Sequence, residues 1–356
     1  MSRPYIGLFT RAKQLRQLAA TAGKAALLLT LAAGAFSAPA NSTELELSVT
    51  DNLSAELGFP LYTWASASSP QAIIVAIHGA TLHGRSYSTV AQTLSQKGYS
   101  VFAPDMRGFG AWYHNSAPTD SDAKHVIYSQ SEADLFKLIT KLRELYPGKA
   151  IFLMGESVGA NMAIRLMADH PNCAEGMILS GAGIKQRIFF GPHGLLQMLT
   201  VFFVNPHAQL DIAPYIKSRV SESKDIANER VGDPLGRTKL DVVELFKTRF
   251  FNKDCLKLVP QLSTKTSVLV LEGDKDRLFH ADDIEKIMSE LPCEDKTLHL
   301  LKDRGHINLE TAYVLPEVNA ILEDWLADKT VKFSGDATKS PTAVSSAIEP
   351  SKTLSP

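Results

Sequence analysis

The chain has 356 residues, 45% of them hydrophobic and 21% charged, so it is long enough and apolar enough to bury a large core. This composition excludes a mainly disordered chain. The formal net charge is only −1, and no basic patch indicates a nucleic-acid partner.

The first forty residues have the pattern of a targeting segment. They contain five basic residues and no acidic one, then the apolar run 25–36, then Ala38-Pro39-Ala40, which is typical of a cleavage site. The run is shorter than the roughly 20 residues of a membrane-spanning helix. We therefore expect residues 1–40 to be a signal peptide cleaved after Ala40, and the protein to be periplasmic or secreted. An uncleaved N-terminal membrane anchor is the alternative.

Apolar runs of strand length alternate with helical patterns through most of the chain. The runs are residues 72–79, 99–105, 150–155, 176–181 and 267–273. Continuous apolar strands separated by helices are typical of a parallel sheet with helices on both faces. The predicted fold class is α/β, with the core formed by residues 41–184 and 261–329.

One interval interrupts this alternation. Residues 185–260 contain several helical patterns and no comparable strand, which predicts a helical cap or lid. Its apolar segment GLLQMLTVFFVNP, residues 194–206, could admit acyl chains, touch a membrane surface or form the core of the cap. After the second core segment, residues 330–356 are rich in Ser, Thr, Pro and Ala without periodicity, which predicts a disordered tail.

A possible nucleophile lies where a strand gives way to a helix. The sequence Gly155-Glu156-Ser157-Val158-Gly159 follows the apolar run AIFLM and precedes a helical pattern. A sharp turn there lifts the serine hydroxyl above the carboxyl edge of the sheet, and the flanking glycines allow the backbone to pack closely. The motif alone is weak, but its strand-turn-helix context makes Ser157 a strong candidate nucleophile.

Such a serine needs a base and a group that orients the base. In chain order these are an acid and then a histidine. Asp274 and Asp276 follow the strand at 267–273, and His306 follows the next strand in a loop. Other histidines fit this role less well: His299 lies inside a strand, and His170, His193 and His207 lie near prolines at helix ends or in the cap.

The oxyanion of a tetrahedral intermediate needs two fixed N–H donors. One is expected from Val158, directly after the nucleophile, and the other from Ala80, just after the apolar run at 72–79. His78 and His83 flank this second donor. A structural role is predicted for both, because no third ligand at a suitable spacing supports a metal site.

The cysteine content limits the disulfides. Cys173, Cys255 and Cys293 can form at most one internal bridge, and none has a metal-binding spacing. Disulfides are therefore not expected to hold this fold together.

Taken together, these motifs resemble the α/β-hydrolase superfamily, and within it the monoacylglycerol lipase and lysophospholipase-like branch of serine aminopeptidase S33-type hydrolases. The resemblance spans about residues 55–326. Its motifs are HGATLHGRSY, PDMRGFG, GESVGA, DPL, EGDKDRL and RGH. The family places its acid three residues after the strand-ending glycine, which implies Asp276 rather than Asp274. Asp105 and Arg107 in PDMRGFG are interpreted as structural. Two positions depart from the family pattern. Glu156 stands where the animal lipases usually have histidine, and Ala160 stands where the pattern has a second glycine.

The resemblance implies a serine hydrolase of carboxylic esters that uses Ser157, His306 and Asp276 and needs no metal or organic cofactor. The expected partner is a small-molecule ester or lipid of the acylglycerol or lysophospholipid class, with membrane-surface contact through the cap as a further possibility. A peptidase, an amidase or an acyltransferase of the same fold is the alternative within enzymes. A non-catalytic binding protein is the alternative outside them.

Overall fold

The structure is a computed structural model that describes residues 52–114, 124–183, 201, 203–279 and 281–336. The predicted signal peptide, its cleavage site after Ala40, and most of the apolar cap segment 194–206 lie outside the described residues.

A seven-stranded sheet forms the centre of the described chain, in the order β1-β3-β2-β4-β5-β8-β9. Its strands are β1 (Leu61–Trp64), β2 (Ile73–Ile77), β3 (Ser100–Pro104), β4 (Ile151–Glu156), β5 (Gly176–Ser180), β8 (Ser267–Gly273) and β9 (Lys296–Leu301). Only β1 runs antiparallel to its neighbour, and all other pairs are parallel. The predicted mostly parallel α/β sheet is therefore confirmed.

Helices cover both faces of this sheet. In chain order they are α1 (Asn52–Leu57), α2 (Ser88–Gln96), α3 (Gly110–His114), α4 (Tyr128–Leu145), α5 (Val158–Asp169), α9 (Ala281–Glu290) and α10 (Pro316–Asp336). Alternate residues of β2 enter two different cores: Ile73, Val75 and Ile77 pack in the core containing α4 and α5, whereas Ile74 and Ala76 pack in the core containing α2 and α10. This alternation is the two-residue period of a strand buried on both sides.

The predicted cap is inserted between β5 and β8. Its described part contains β6 (Leu210–Asp211), α6 (Ala213–Arg219), α7 (Lys224–Gly232), β7 (Lys239–Leu240) and α8 (Val242–Leu256). The short strands β6 and β7 pair antiparallel, which the prediction of a purely helical cap did not include. Two-residue strands carry too short a pattern to be recognised in a sequence.

The prediction of a disordered tail from residue 330 was wrong at its start, because α10 continues to Asp336. Thr330 is buried, Lys332 Nζ lies 2.9 Å from Asp295 Oδ2, and the Phe333 ring centroid lies 6.3 Å from that of Phe152. These contacts, with Phe152 of β4 and with Asp295 just before β9, stabilise a segment that has no helical periodicity of its own. Residues 337–356 lie outside the described residues.

All three cysteines are buried and unbridged. Within the described chain, no helix has both the length and the apolar character needed to span a membrane.

Candidate active site

Ser157 occupies the sharp turn between β4 and α5. Its backbone has φ 57° and ψ −121°, a conformation that costs a non-glycine residue about 1–3 kcal/mol. A side chain at position 159 would overlap the carbonyl of Ile77, and one at position 155 would overlap the backbone of Gly159. The two glycines of the motif are therefore required by backbone packing, and the turn has the strained geometry that the motif predicts.

The predicted acid and base are in direct contact. His306 Nδ1 lies 2.7 Å from Asp276 Oδ2, and Asp276 Oδ1 accepts hydrogen bonds from the amides of Leu278 at 2.6 Å and Phe279 at 3.3 Å. Asp274, the competing candidate, is exposed. The second imidazole nitrogen, His306 Nε2, is buried and has no hydrogen-bond partner among the described residues.

Burial and charge act in opposite directions on this pair. Burial lowers the pKa of His306, but the Asp276 carboxylate and then Glu156 outweigh it, so this pKa lies above its usual value. Burial raises the pKa of Asp276, but the imidazole and the two amides outweigh it and the pKa is lowered. Asp276 is thus held as the carboxylate that fixes the tautomer and orientation of His306.

A second carboxyl group lies behind this pair. Glu272, near the end of β8, has its pKa raised to about 9 by burial and by the charge of Asp276, with which it shares a hydrogen bond. Glu272 is therefore the protonated member of the two carboxyl groups, and Asp276 is the charged one. No sequence pattern indicated a role for Glu272.

The two expected oxyanion donors line the same cavity as Ser157 and His306. Ala80 follows β2, and Val158 is the first residue of α5, where helix amides have no partner within the helix. Among the described residues, neither of these amides donates a hydrogen bond. Both are available to an oxygen atom bound above Ser157.

The histidines beside Ala80 have structural contacts, in agreement with the sequence-based interpretation. His78 Nδ1 lies 2.8 Å from the Gly79 carbonyl, and its Nε2 accepts the Met106 amide at 2.8 Å. Burial lowers the pKa of His78 to about 3, so the ring is neutral. His83 Nε2 instead lies 2.8 Å from Asp233 Oδ2, which joins this loop to the DPL segment of the cap.

The segment after β3 also has a structural role. Asp105 accepts the amides of Gly84 at 2.8 Å and Ala111 at 2.7 Å, so it connects the loop after β2 to α3. Arg107 pairs with Asp134, with Nε 2.6 Å from Oδ2. These contacts match the interpretation of both residues from the sequence.

Glu156 anchors the loop that carries the histidine, a role the sequence analysis missed. Its fully buried carboxylate accepts the amides of Asn308 at 2.8 Å, Leu309 at 3.1 Å and Glu310 at 3.0 Å, and the Ser180 hydroxyl at 2.7 Å. The sequence signal for this role was that Glu156 stands where the animal lipases usually have histidine. A neutral histidine has one acceptor nitrogen and could not accept these four hydrogen bonds.

Glu310 extends this connection to the oxyanion loop. Its buried carboxyl accepts the Gly79 amide at 3.0 Å. Burial and the neighbouring charge of Glu156 hold the pKa of Glu310 well above its usual value. Glu156 and Glu310 together therefore link the nucleophile strand, the histidine loop and the oxyanion loop.

The cap is bonded to both of these loops. Arg237 donates its amide to Thr81 O at 2.9 Å, and Glu229 accepts the Thr311 hydroxyl at 2.6 Å and the Ala312 amide at 2.8 Å. Arg237 also forms a fully buried ion pair with Glu244, 2.6 Å between Nη2 and Oε2. Hydrogen bonds to the oxyanion and histidine loops, and not only apolar packing, therefore hold the described part of the cap beside the site.

The cavity between cap and core is mainly apolar. It is lined by Ile212, Ile216, Val220, Leu240, Leu245, Leu278 and Phe279, together with Ser157, His306 and the loop at Ala80. Arg230 is the one permanently charged side chain among the described lining residues. The arrangement can hold an apolar group next to a partly buried candidate nucleophile, a candidate base and two amide donors.

Known proteins share this sequence pattern and fold. The family model described as "Serine aminopeptidase, S33" matches residues 68–310. The monoglyceride lipase of Rattus norvegicus is 28% identical over 273 residues, which cover 73% of this chain and 83% of the lipase. The relatives named as monoglyceride lipases support a carboxylic-ester hydrolase.

Solved structures show the same fold. A soluble variant of the Saccharomyces cerevisiae monoglyceride lipase, crystallised with a substrate analogue, superposes with a TM-score of 0.62 at 18% identity, covering 77% of this chain and 92% of the lipase. A thermostable carboxyl esterase from Bacillus coagulans reaches 0.63 at 16% identity, covering 76% and 94%. Because the family model spans more than half of the chain, the protein belongs to the serine aminopeptidase S33 family of α/β-hydrolases.

Proposed function

We propose that this protein hydrolyses carboxylic esters with a triad of Ser157, His306 and Asp276. The observation that carries the proposal is the 2.7 Å contact between His306 Nδ1 and Asp276 Oδ2, which leaves Nε2 of the same ring without a partner beside the cavity that Ser157 lines. A buried imidazole nitrogen without a partner, in the same cavity as a serine on a strained turn, is the arrangement that acyl transfer requires.

In the proposed reaction, His306 Nε2 takes the hydroxyl proton while Ser157 Oγ attacks the ester carbonyl carbon. The negative charge that develops on the carbonyl oxygen is stabilised by the Ala80 and Val158 amides. The tetrahedral intermediate then expels the alcohol, which receives the proton from His306. Water, deprotonated by the same imidazole, releases the acyl group and restores Ser157. Asp276 stabilises the imidazolium at each step.

The proposed substrates are acylglycerols or lysophospholipids. The aliphatic and aromatic lining of the cavity supports this class, because it can bury an acyl chain next to Ser157. The relatives named as monoglyceride lipases support it as well. An aminopeptidase is suggested by the family description, but it would need a carboxylate to bind a free amino group. None of the described residues that line the cavity is acidic.

The proposal includes export and contact with a membrane surface. Export rests on the basic, apolar and A-x-A pattern of residues 1–40. Membrane contact rests on Phe203, Val204 and Phe250 of the cap, whose side chains are 79%, 80% and 57% exposed. Fractionation of cells and N-terminal sequencing of the mature protein would test export. Vesicle sedimentation of wild type and of Phe203→Glu would test membrane contact.

The function itself is tested by a chain-length series of p-nitrophenyl esters and monoacylglycerols, assayed with the wild type and with Ser157→Ala. We expect serine-dependent hydrolysis that increases with acyl length, because longer chains fill more of the apolar cavity. Activity confined to short esters would contradict the lipid substrate class. Undiminished hydrolysis by Ser157→Ala would refute the mechanism, and serine-dependent cleavage of amides alone would favour the peptidase alternative.

A further inference from the structure

Arg230 is a buried cation whose hydrogen-bond donors are only partly satisfied by the described residues. It lies on α7 of the cap, its side chain is 4% exposed, and it lines the cavity that contains Ser157. Its Nε and Nη1 atoms are fully buried, and neither has a hydrogen-bond partner in the described chain. Most buried arginines are paired or fully hydrogen-bonded, because an unpaired buried charge is costly.

The nearby carboxyl groups do not neutralise it. Glu229 Oε1 lies 3.5 Å from Arg230 Nη2, and this carboxylate is already hydrogen-bonded to Thr311 and Ala312. Glu310 also lies close enough to interact, but burial and the charge of Glu156 hold its pKa well above the usual value, which favours its neutral form. Arg230 also contributes to the lowered pKa of Asp233, so this carboxylate lies within electrostatic range as well. Even so, Nε and Nη1 of the guanidinium have no acceptor among the described residues.

The position of Arg230 suggests which part of a substrate it meets. Its neighbour Glu229 bonds to Thr311 and Ala312, in the loop that starts at His306. His306 gives its proton to the departing alcohol, so the alcohol portion of an ester lies on the side of this loop. The apolar lining residues remain for the acyl chain.

We propose that Arg230 binds a phosphate or carboxylate group on the alcohol portion of the substrate, so that the preferred esters are anionic lipids of the lysophosphatidate type. This inference rests on the proposed esterase function and narrows its substrate class. A planar guanidinium presents parallel N–H donors that match two oxygens of a phosphate or carboxylate. In a cavity that excludes water such a pair is stronger than at the surface. An anionic substrate group bound to this guanidinium would supply an acceptor for at least one of the two unmet donors, Nε and Nη1.

Paired substrates test this inference. The value of kcat/KM would be measured for a 1-acylglycerol 3-phosphate and for the 1-acylglycerol of the same chain, with the wild type, Arg230→Met and Arg230→Lys. We expect the ratio of phosphate ester to neutral ester to fall roughly 10- to 100-fold in Arg230→Met, the effect of losing charge-assisted hydrogen bonds. Arg230→Lys should keep part of the preference for the phosphate ester, because lysine keeps the positive charge but lacks the parallel N–H donors of a guanidinium.

The matched control is Arg249→Met, which removes the same charge from an exposed position on α8 and should leave the ratio unchanged. An unchanged ratio in Arg230→Met would overturn the inference. So would an equal loss of activity on both esters together with a lowered melting temperature, which would show that Arg230 is structural. We expect the opposite effect on stability, because Arg230→Met removes a buried charge whose donors are only partly satisfied among the described residues, and this should raise the melting temperature.

A binding test is independent of turnover. Decyl phosphate and decanoate would each be added to Ser157→Ala, with and without Arg230→Met, and the melting temperature would be followed. Stabilisation that needs Arg230 supports the inference, and the more effective compound identifies the recognised group. Equal stabilisation of both variants would overturn it. If the wild type hydrolyses no ester but an anion still binds through Arg230, the proposed function fails while the anion site stands.

Discussion

Replacing Glu156 by glutamine tests whether this carboxylate positions His306. The side chain keeps its shape, but one of two acceptor oxygens becomes an NH2 group facing N–H donors. Glu156 accepts three loop amides and one hydroxyl within 2.7–3.1 Å, so at least one buried donor loses its acceptor. An unsatisfied buried donor costs about 1–3 kcal/mol. We therefore expect the free energy of unfolding to fall by about that amount in urea denaturation.

The same substitution should change the pH dependence in a defined direction. Glu156 is one of the charges that raise the pKa of His306, and hydrolysis needs His306 neutral. Activity therefore rises with pH as His306 loses its proton. Without the carboxylate this pKa falls, so the acid limb of the kcat/KM profile should move to lower pH, while kcat/KM at its plateau decreases because the histidine loop is less well held.

The control is Glu144→Gln, which removes a carboxylate from an α4 position that is 64% exposed. It should alter neither the stability nor the acid limb measurably, since surface charges contribute little. If Glu156→Gln shows an unmoved or raised acid limb, Glu156 does not act on His306 electrostatically. A loss of stability alone would leave only a structural role for this residue.

Three further predictions follow from the described geometry. Asp276→Asn should lower kcat by about 10³- to 10⁴-fold, through loss of the correct tautomer of the base, whereas Asp274→Asn should change steady-state rates little. For His78, the folded pKa of about 3 lies below the unfolded value, so its contribution to stability is present above pH 6.5 and is lost as the pH falls towards 3. In wild type the urea midpoint should therefore fall over this pH range, and in His78→Gln it should fall less steeply. An unchanged slope in the variant would contradict the neutral state assigned to His78. Gly159→Ala should prevent folding to the native state, because the added methyl group would overlap the Ile77 carbonyl. Circular dichroism of the purified variant tests this, and a native spectrum would contradict the reasoning.

The sequence predicted the sheet well, because buried strands leave strong local signals, and the candidate site residues it indicated lie around one cavity in the structure. Uninterrupted apolar runs of strand length are typical of strands buried on both faces. The glycines around Ser157 are required by backbone contacts. The choice of Asp276 over Asp274 came from the family resemblance alone. The two aspartates differ in burial and in contact with His306, which no local pattern encodes.

The sequence could not predict the features that depend on distant contacts. Glu156 and Glu310 are adjacent only after residues more than 150 positions apart have packed together. Arg230 is indistinguishable from a surface arginine of an amphipathic helix until the cap is placed over the core. The continuation of α10 past residue 330 depends in the same way on contacts with Asp295 and Phe152.

The topology of the sheet also bears on when this protein can first act during its synthesis. Strand β8 pairs with β5, although the whole cap separates them in the chain, and Asp276 and His306 follow β8 and β9. The nucleophile turn is synthesised near the middle of the chain, but its acid and base come from the last third. Under the proposed mechanism, a nascent chain would therefore display Ser157 without its base. Hydrolysis would begin only when synthesis of the chain is nearly complete.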